Sequence, residues 1–336
     1  MRALIRTRAR RDDTGAVVVL VSIMMVVLLG MGALVLDAGQ LYAERRELQN
    51  GADAAALAVA QDCAGGDCKD EAATAHSYAD DNAHDGKAGV DEVCGSGPGL
   101  AACATPPADV PAGNWVKVAT VTPDDNKVDF VFAPVLGHDA GRARAAAVAS
   151  WGAVGGATTI PLTMSECEYI ELGGNLASGT FPSGLNYVYF HDTTDAGTCP
   201  AGPSGADLPG GFGWLASSSA CQVTVRADRW VDDKPGNSVP NDCTPSDWQG
   251  KEVLIPVYDR VNGLTGSNGS YHLAGFAGFR MAGYRFPSDE WQNGFPCGKK
   301  PKGGTTYICG EFTRIVTTGE VGTGPDFGAR VIQMIG

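Results

Sequence analysis

From Ala16 to Leu36 the chain runs 21 residues without a charge, and only Ser22, Gly30 and Gly32 interrupt its large apolar and alanine side chains. At about 1.5 Å per helical residue this stretch reaches about 32 Å, enough to cross a bilayer core of about 30 Å. A lone strand of that length would leave its backbone groups unpaired in lipid, so the pattern predicts a helix. A polar but proline-free stretch follows, Asp37 to Gln61, rich in helix formers. Within it Leu34, Leu41, Leu48 and Ala55 recur every seven residues, with Ala52 and Val59 beside the later ones. That spacing predicts one helix continuing past the membrane. Its narrow apolar stripe could pack on the chain's own outer domain or on a partner helix.

The pattern then changes. Residues 69–83 read as a short helix, and 94–113, with Pro98, Pro106, Pro107 and Pro111, as loop. The β-rich runs Trp115–Val121 and Val128–Phe132 flank Pro123-Asp124-Asp125-Asn126 and predict a hairpin. Ala-rich 139–151 reads as a helix and Gly152–Ala157 as a linker, with a boundary near residue 155. Beyond it, strands are expected at Thr159–Thr163, Tyr187–His191, Gln222–Arg226, Glu252–Tyr258, Tyr271–Phe286 and Thr305–Thr317. Large and small side chains alternate from Tyr271 to Phe279, and glycines in such a strand mark close backbone approach. The fold class is α+β: a long N-terminal helix, a hairpin-plus-helix segment and a β-rich, disulfide-tied domain. The expected division is 1–15 basic segment, 16–36 anchor, 37–155 helix extension with a small α+β segment, and 156–336 β-rich domain.

Charge fixes the orientation. Arg2, Arg6, Arg8, Arg10 and Arg11 precede the apolar run, against Asp12 and Asp13, while Asp37, Glu44 and Glu47 follow it. Basic residues stay cytoplasmic, so the amino terminus is expected inside and the rest outside. A cleaved signal peptide is the competing reading. Its apolar core is only about 7–15 residues, however, and Leu36-Asp37-Ala38-Gly39 is a poor cleavage site. The net charge of −13 argues against nucleic acid as a partner.

All ten cysteines lie beyond the anchor, on the oxidising side: Cys63, Cys68, Cys94, Cys103, Cys167, Cys199, Cys221, Cys243, Cys297 and Cys309. Disulfides are expected, between neighbours in the order given, and the last pair would pin the loop at 298–304. C-x-x-C pairs are absent, which argues against a metal site. Asp81 to Glu92 places acids at positions 1, 5 and 12 of a calcium loop and Gly86 at 6, but position 3 is Ala83. Asp326-Phe327-Gly328 lacks the companions of a kinase. His191, Asp192 and the serines at 217–219 have no spacing that favours a hydrolytic triad. Asn268-Gly269-Ser270 is a glycosylation sequon by pattern alone. No enzyme and no cofactor is expected.

Thr14-Gly15-Ala16-Val17, the apolar run, and then Leu36-Asp37-Ala38-Gly39-Gln40-Leu41-Tyr42 with Leu48-Gln49-Asn50-Gly51-Ala52-Asp53-Ala54-Ala55-Ala56-Leu57-Ala58 resemble the N-terminal segment of TadE/TadG-like Flp pilus-assembly proteins. Pro209–Leu215, Leu254–Asp259 and Tyr271–Ala277 are similar to pieces of actinobacterial TadG-related proteins. The resemblance implies a single-pass membrane protein of the tight-adherence pilus machinery that works by contacts with membrane lipid, Flp pilins or other assembly proteins, or with itself. The D-x-S-x-S motif of a von Willebrand type A domain, carried by some TadG proteins, is absent. After Gly15, the place of the glutamate found in pilin precursors is taken by Leu20. Two further readings use the residues alone: an anchored module that binds glycans through Trp214, Trp230, Trp248 and Trp291, and an exported hydrolase.

Overall fold

The computed structural model describes residues 14–335 apart from 110–112, 178, 191–212, 217–219, 235, 237, 263–268, 288 and 293–305. One helix, α1, Thr14–Gly65, runs unbroken for 52 residues. Among the described residues it is the helix long and apolar enough to cross a membrane. Its two halves live in different surroundings. From Val17 to Leu36 every side chain except Ala33 is exposed, whereas Leu48, Ala52, Ala55, Ala56, Val59, Ala60 and Ala64 are buried.

The outer half of α1 lies on a five-stranded sheet ordered Gly89–Gly95, Asn114–Val121, Arg144–Ala153, Ala329–Ile335, Ile315–Thr318. Neighbours are antiparallel except the last pair. The sheet therefore joins strands from both sides of residue 155. Val116, Val118, Ala147, Ala149 and Trp151 form one core with Ala52, Ala55, Ala56, Val59 and Ala60. Small side chains on both surfaces let helix and sheet approach closely. Two hydrogen bonds fix the register: the Thr120 hydroxyl donates to the Leu48 carbonyl at 2.8 Å, and Gln49 Nε2 donates to the Ala146 carbonyl at 3.2 Å.

Two expectations for this region are corrected. Residues 144–153 are a strand, not a helix. Ala143, Ala145, Ala147 and Ala149 are buried and alternate with the exposed Arg142, Arg144 and Ala146, so the period is two. With alanine on both faces that period is hidden in composition, and sheet pairing overrides alanine's helix propensity. The hairpin also differs. Asn114–Val121 pairs with Arg144–Ala153, and Val128–Asp129 pairs with Ala140–Gly141. Residues 122–143 thus leave the sheet as an arm, with the 3-10 turn Ala133–Leu136 near its tip.

A short helix, α2, Glu71–Asp81, packs on α1 through Ala75 and Ala79. Gly51 makes the approach possible, because a Cβ there would stand 3.2 Å from the Ala79 carbonyl oxygen and 3.3 Å from its Cα.

The second sheet is built on Ser270–Phe286, a 17-residue strand paired with Glu252–Asn262 on one side and Thr306–Phe312 on the other. Leu185–Phe190 and Met164–Ser165 extend its two edges. Its glycines mark close approach as their pattern predicts. A side chain at Gly278 would meet the Thr313 carbonyl, and one at Gly275 would meet the Phe327 ring. Disulfides join Cys63–Cys68, Cys94–Cys103 and Cys221–Cys243. Cys167 and Cys309 are also disulfide-bonded. The expected partners Cys199 and Cys297, and the loop 298–304, lie outside the described residues.

Gly51→Leu is expected to push α2 off α1 and to cost about 1–3 kcal/mol, the usual range for overpacking. Gly51→Ala should change stability far less, because alanine's better helix propensity offsets the crowding. Thermal unfolding of the two variants checks this: equal melting temperatures would mean that the α1–α2 contact contributes nothing.

Candidate functional site

The site that the sequence points to is α1 itself, so the relevant geometry is how the helix changes partners along its length. The apolar run ends at Leu36, and the next residue, Asp37, is 4 % exposed. Its carboxylate accepts three backbone N–H groups from the arm: Val131 at 2.8 Å, Phe132 at 3.0 Å and Ala133 at 2.7 Å. Burial pushes the Asp37 carboxyl up, but the three amides outweigh it and hold it below its usual 3.8. Ala33 sits one turn below Asp37 on the same helix face. It is the other buried residue between Val17 and Gln40. The arm is thus clasped against the helix where the apolar run ends.

At the far end of α1, Arg330 reaches across from the last strand. It donates to the carbonyls of Ala64 at 3.0 Å and Cys63 at 3.4 Å in the last turn of the helix, and the Cys63 carbonyl also accepts from the Gly66 N–H at 3.2 Å. A cation there also complements the helix dipole. Asp326 holds Arg330 in place at 2.6 Å and accepts from Arg314 at 3.0 Å. Burial raises the Asp326 carboxyl, and the two guanidiniums with the Gly328 amide outweigh it and lower its pKa.

The proposed stripe is divided by these surroundings. Leu48, Ala52, Ala55 and Val59 are covered by the chain's own sheet and α2, Leu41 is half-buried, and Leu34 is 52 % exposed. A face open to other helices therefore lies on the apolar half of α1, and the face beyond Leu48 is occupied. Of the residues that do the fixing, Asp37 is visible in the sequence as the first charge after the apolar run, whereas Thr120 and Arg330 carry no signal of their own.

The remaining candidates are placed differently. Trp214 and Trp248 are core residues packed with Phe286, so they offer no glycan surface. Trp230 is 48 % exposed and carries the Arg260 guanidinium 6.0 Å from its ring centre. Through its contacts with Arg260 and His272 it adjoins, without lining, an open cleft of about 530 Å³ that these two residues line with Asp228, Asp259 and others. His272 is buried there, with Nδ1 2.6 Å from Asp259 Oδ1 and Nε2 3.3 Å from Asp228 Oδ1. Thr323 is the only hydroxyl among the described lining residues, so no described serine lines the cleft with the Asp–His pair. His191, Asp192, the serines at 217–219 and Asn268 lie outside the described residues. Glu92, the last position of the calcium pattern, sits on a strand and pairs with Lys117 at 2.8 Å.

Asp37→Ala is expected to speed amide exchange at Val131, Phe132 and Ala133 at least about tenfold, the loss of one hydrogen bond to a charged group, and to leave core-strand amides unchanged. In the parent protein a lowered carboxyl pKa means that the clasp is intact at and above pH 3.8 and fades as pH falls through the lowered value. The protection factors of those three amides, with the intrinsic pH dependence of exchange divided out, should therefore fall only below that pH; a loss of protection between pH 7 and 5 would contradict the assignment. Arg330→Ala, which leaves Asp326 short of one partner and takes the guanidinium from the Ala64 and Cys63 carbonyls, should cost about 3 kcal/mol in denaturant unfolding.

No curated protein and no solved structure matches the chain. A family model does, over residues 15–62, which is α1 from its second residue almost to its end. That segment, apolar run and helical extension together, is similar to the family described as Putative Flp pilus-assembly TadE/G-like.

Proposed function

We propose that this chain is a single-pass membrane component of Flp, or tight-adherence, pilus assembly. Its amino terminus is cytoplasmic, its apolar helix spans the cell membrane, and its disulfide-tied domain stands outside. It acts by helix and domain contacts with Flp pilins or other assembly proteins, and it is not an enzyme. The observation that carries the reading is the coincidence of the TadE/G-like segment with one continuous helix that is bare in its apolar half and built into a sheet in its outer half. A helix of this kind presents a lipid- and helix-facing surface while holding a folded domain in a fixed position. Since Leu48, Ala52, Ala55 and Val59 are occupied, contacts with other helices, or with a second copy, fall on Leu34 and the apolar residues before it.

Deletion of the gene is expected to lower the number of surface pili seen by electron microscopy, and the full chain should restore it. A photo-crosslinking amino acid in place of Leu34 should capture a pilin or an assembly protein, whereas the same group in place of Leu48 should not. Unchanged pilus number and adhesion after deletion would refute the reading.

One observation favours a second reading, an anchored surface-binding module: the exposed Trp230 beside the charged cleft. Under that reading the detergent-solubilised full chain binds glycans and Trp230→Ala abolishes it, with pili unaffected by gene deletion.

A further inference from the structure

The arm that Asp37 clasps ends in Phe130-Val131-Phe132-Ala133-Pro134-Val135-Leu136-Gly137, eight residues without a charge. Val131 is 62 % exposed, Phe132 41 % and Val135 88 %, an unusual concentration of bare apolar side chains for the outer domain. Scattered exposed apolar residues need no explanation, but three within five residues at one tip do.

We infer that residues 131–135 form a second membrane contact, a loop that dips its apolar side chains into the outer interfacial layer of the bilayer beside the anchor helix. The inference rests on the reading of residues 16–36 as the membrane span. Three observations place lipid, and not water, around the tip. The first is depth: the Val131, Phe132 and Ala133 amides are bonded to the residue that follows the apolar run, and Ala33, one helical turn or about 6 Å further in on the same face, is buried too. The second is backbone satisfaction. Irregular backbone is excluded from an apolar phase because its N–H groups lack partners. Here three of them go to Asp37, Pro134 has none, and the Val135 N–H donates to the Phe132 carbonyl at 3.2 Å. The third is continuity: the tip extends the surface of a segment that is already apolar and bare.

The recognition is apolar, not electrostatic. The nearest flanking charges are Asp129 and Asp139, so anionic lipid should not strengthen the contact.

The test uses the full chain reconstituted in phosphatidylcholine vesicles, with an environment-sensitive fluorescent amino acid replacing Val135, Ile170 or Met24 in turn. Lipids spin-labelled near the headgroup, at shallow acyl depth or at mid-chain serve as quenchers, and iodide reports water. Quenching at position 135 by the shallow probes several-fold above that at position 170, with little iodide quenching, is the expected result. The triple variant Val131→Ser, Phe132→Ser, Val135→Ser should leave mid-chain lipid quenching at position 24 in place while raising iodide access at a label in place of Ala133. Equal quenching at positions 135 and 170 puts the tip in water and overturns the inference. Protection of position 135 from lipid probe and iodide alike puts protein over the tip and also overturns it. Failure of lipid to quench position 24 would remove the membrane span itself, and the inference with it, and so is distinguishable from failure of the tip alone.

Discussion

The packing of α1's outer half against the strand Arg144–Ala153 is the contact on which the rest of the molecule depends. Without it the five-stranded sheet has an uncovered apolar face, and the outer half of the helix has no support. Isolated helices owe little of their stability to propensity and most of it to such packing. Alanine on both sides is what makes this interface work. Ala52, Ala55, Ala56 and Ala60 meet Ala147 and Ala149, with Trp151 and Val59 filling the remaining space. Backbones that come this close can share hydrogen bonds across the interface, as Thr120 and Leu48 do. A larger residue at any of these alanines would separate helix from sheet and break that bond as well.

One consequence is that the helix cannot be treated as a tether. Proline is absent from residue 14 to residue 65, and the helix has no break where its bare apolar half gives way to its packed half. Clasped by Asp37 at its middle, bonded by Thr120 and Gln49 further out, and capped by Arg330 at its end, the helix carries the first sheet at a fixed rotation about its axis. The last two strands of the chain complete that sheet, and Arg330 sits on one of them. The C-terminus is therefore tied to the anchor as firmly as the segment next to it in sequence. A shortened protein beginning after residue 61 would lose Ala52, Ala55 and Val59 from the core and should not be expected to fold as the whole chain does.

The amino-acid pattern made some of this legible and hid the rest for definite reasons. The long apolar helix, its continuation past Leu36 and the large-small alternation of Tyr271–Phe279 are readable because each is a strong period or a long uninterrupted run. The strand at 144–153 is not, because alanine occupies buried and exposed positions alike and gives no contrast between faces. The hairpin at 115–132 failed differently. Its turn at Pro123–Asn126 exists, with the Asn126 N–H bonded to the Pro123 carbonyl, but the strand after it is two residues long and pairs with 140–141. Local turn chemistry does not say how far a ladder extends. The heptad stripe was visible, and what it contacts was left open between the chain's own domain and a partner; sheet and α2 take the outer four positions.

Asp37 shows why the junction is where it is. An ionised carboxylate is costly in hydrocarbon and cheap in water, so a charged residue fixes the border of an apolar helix wherever it falls. Here the carboxylate is not bare, and no cation among the described residues neutralises it. It is enclosed by amides, which replace the water that burial removes and give the arm a partner for N–H groups that would otherwise be orphaned. The same side chain thus ends the apolar run and satisfies the backbone of the loop beside it. A lysine at this position would also mark a border, but it has no lone pairs for three amides to donate to, and the arm would be released. An asparagine could accept from its carbonyl side only, with its own N–H₂ directed at the remaining donors. The demand is for an acceptor on every side, and among the residues that can stand in a helix at the edge of a membrane a carboxylate meets it best.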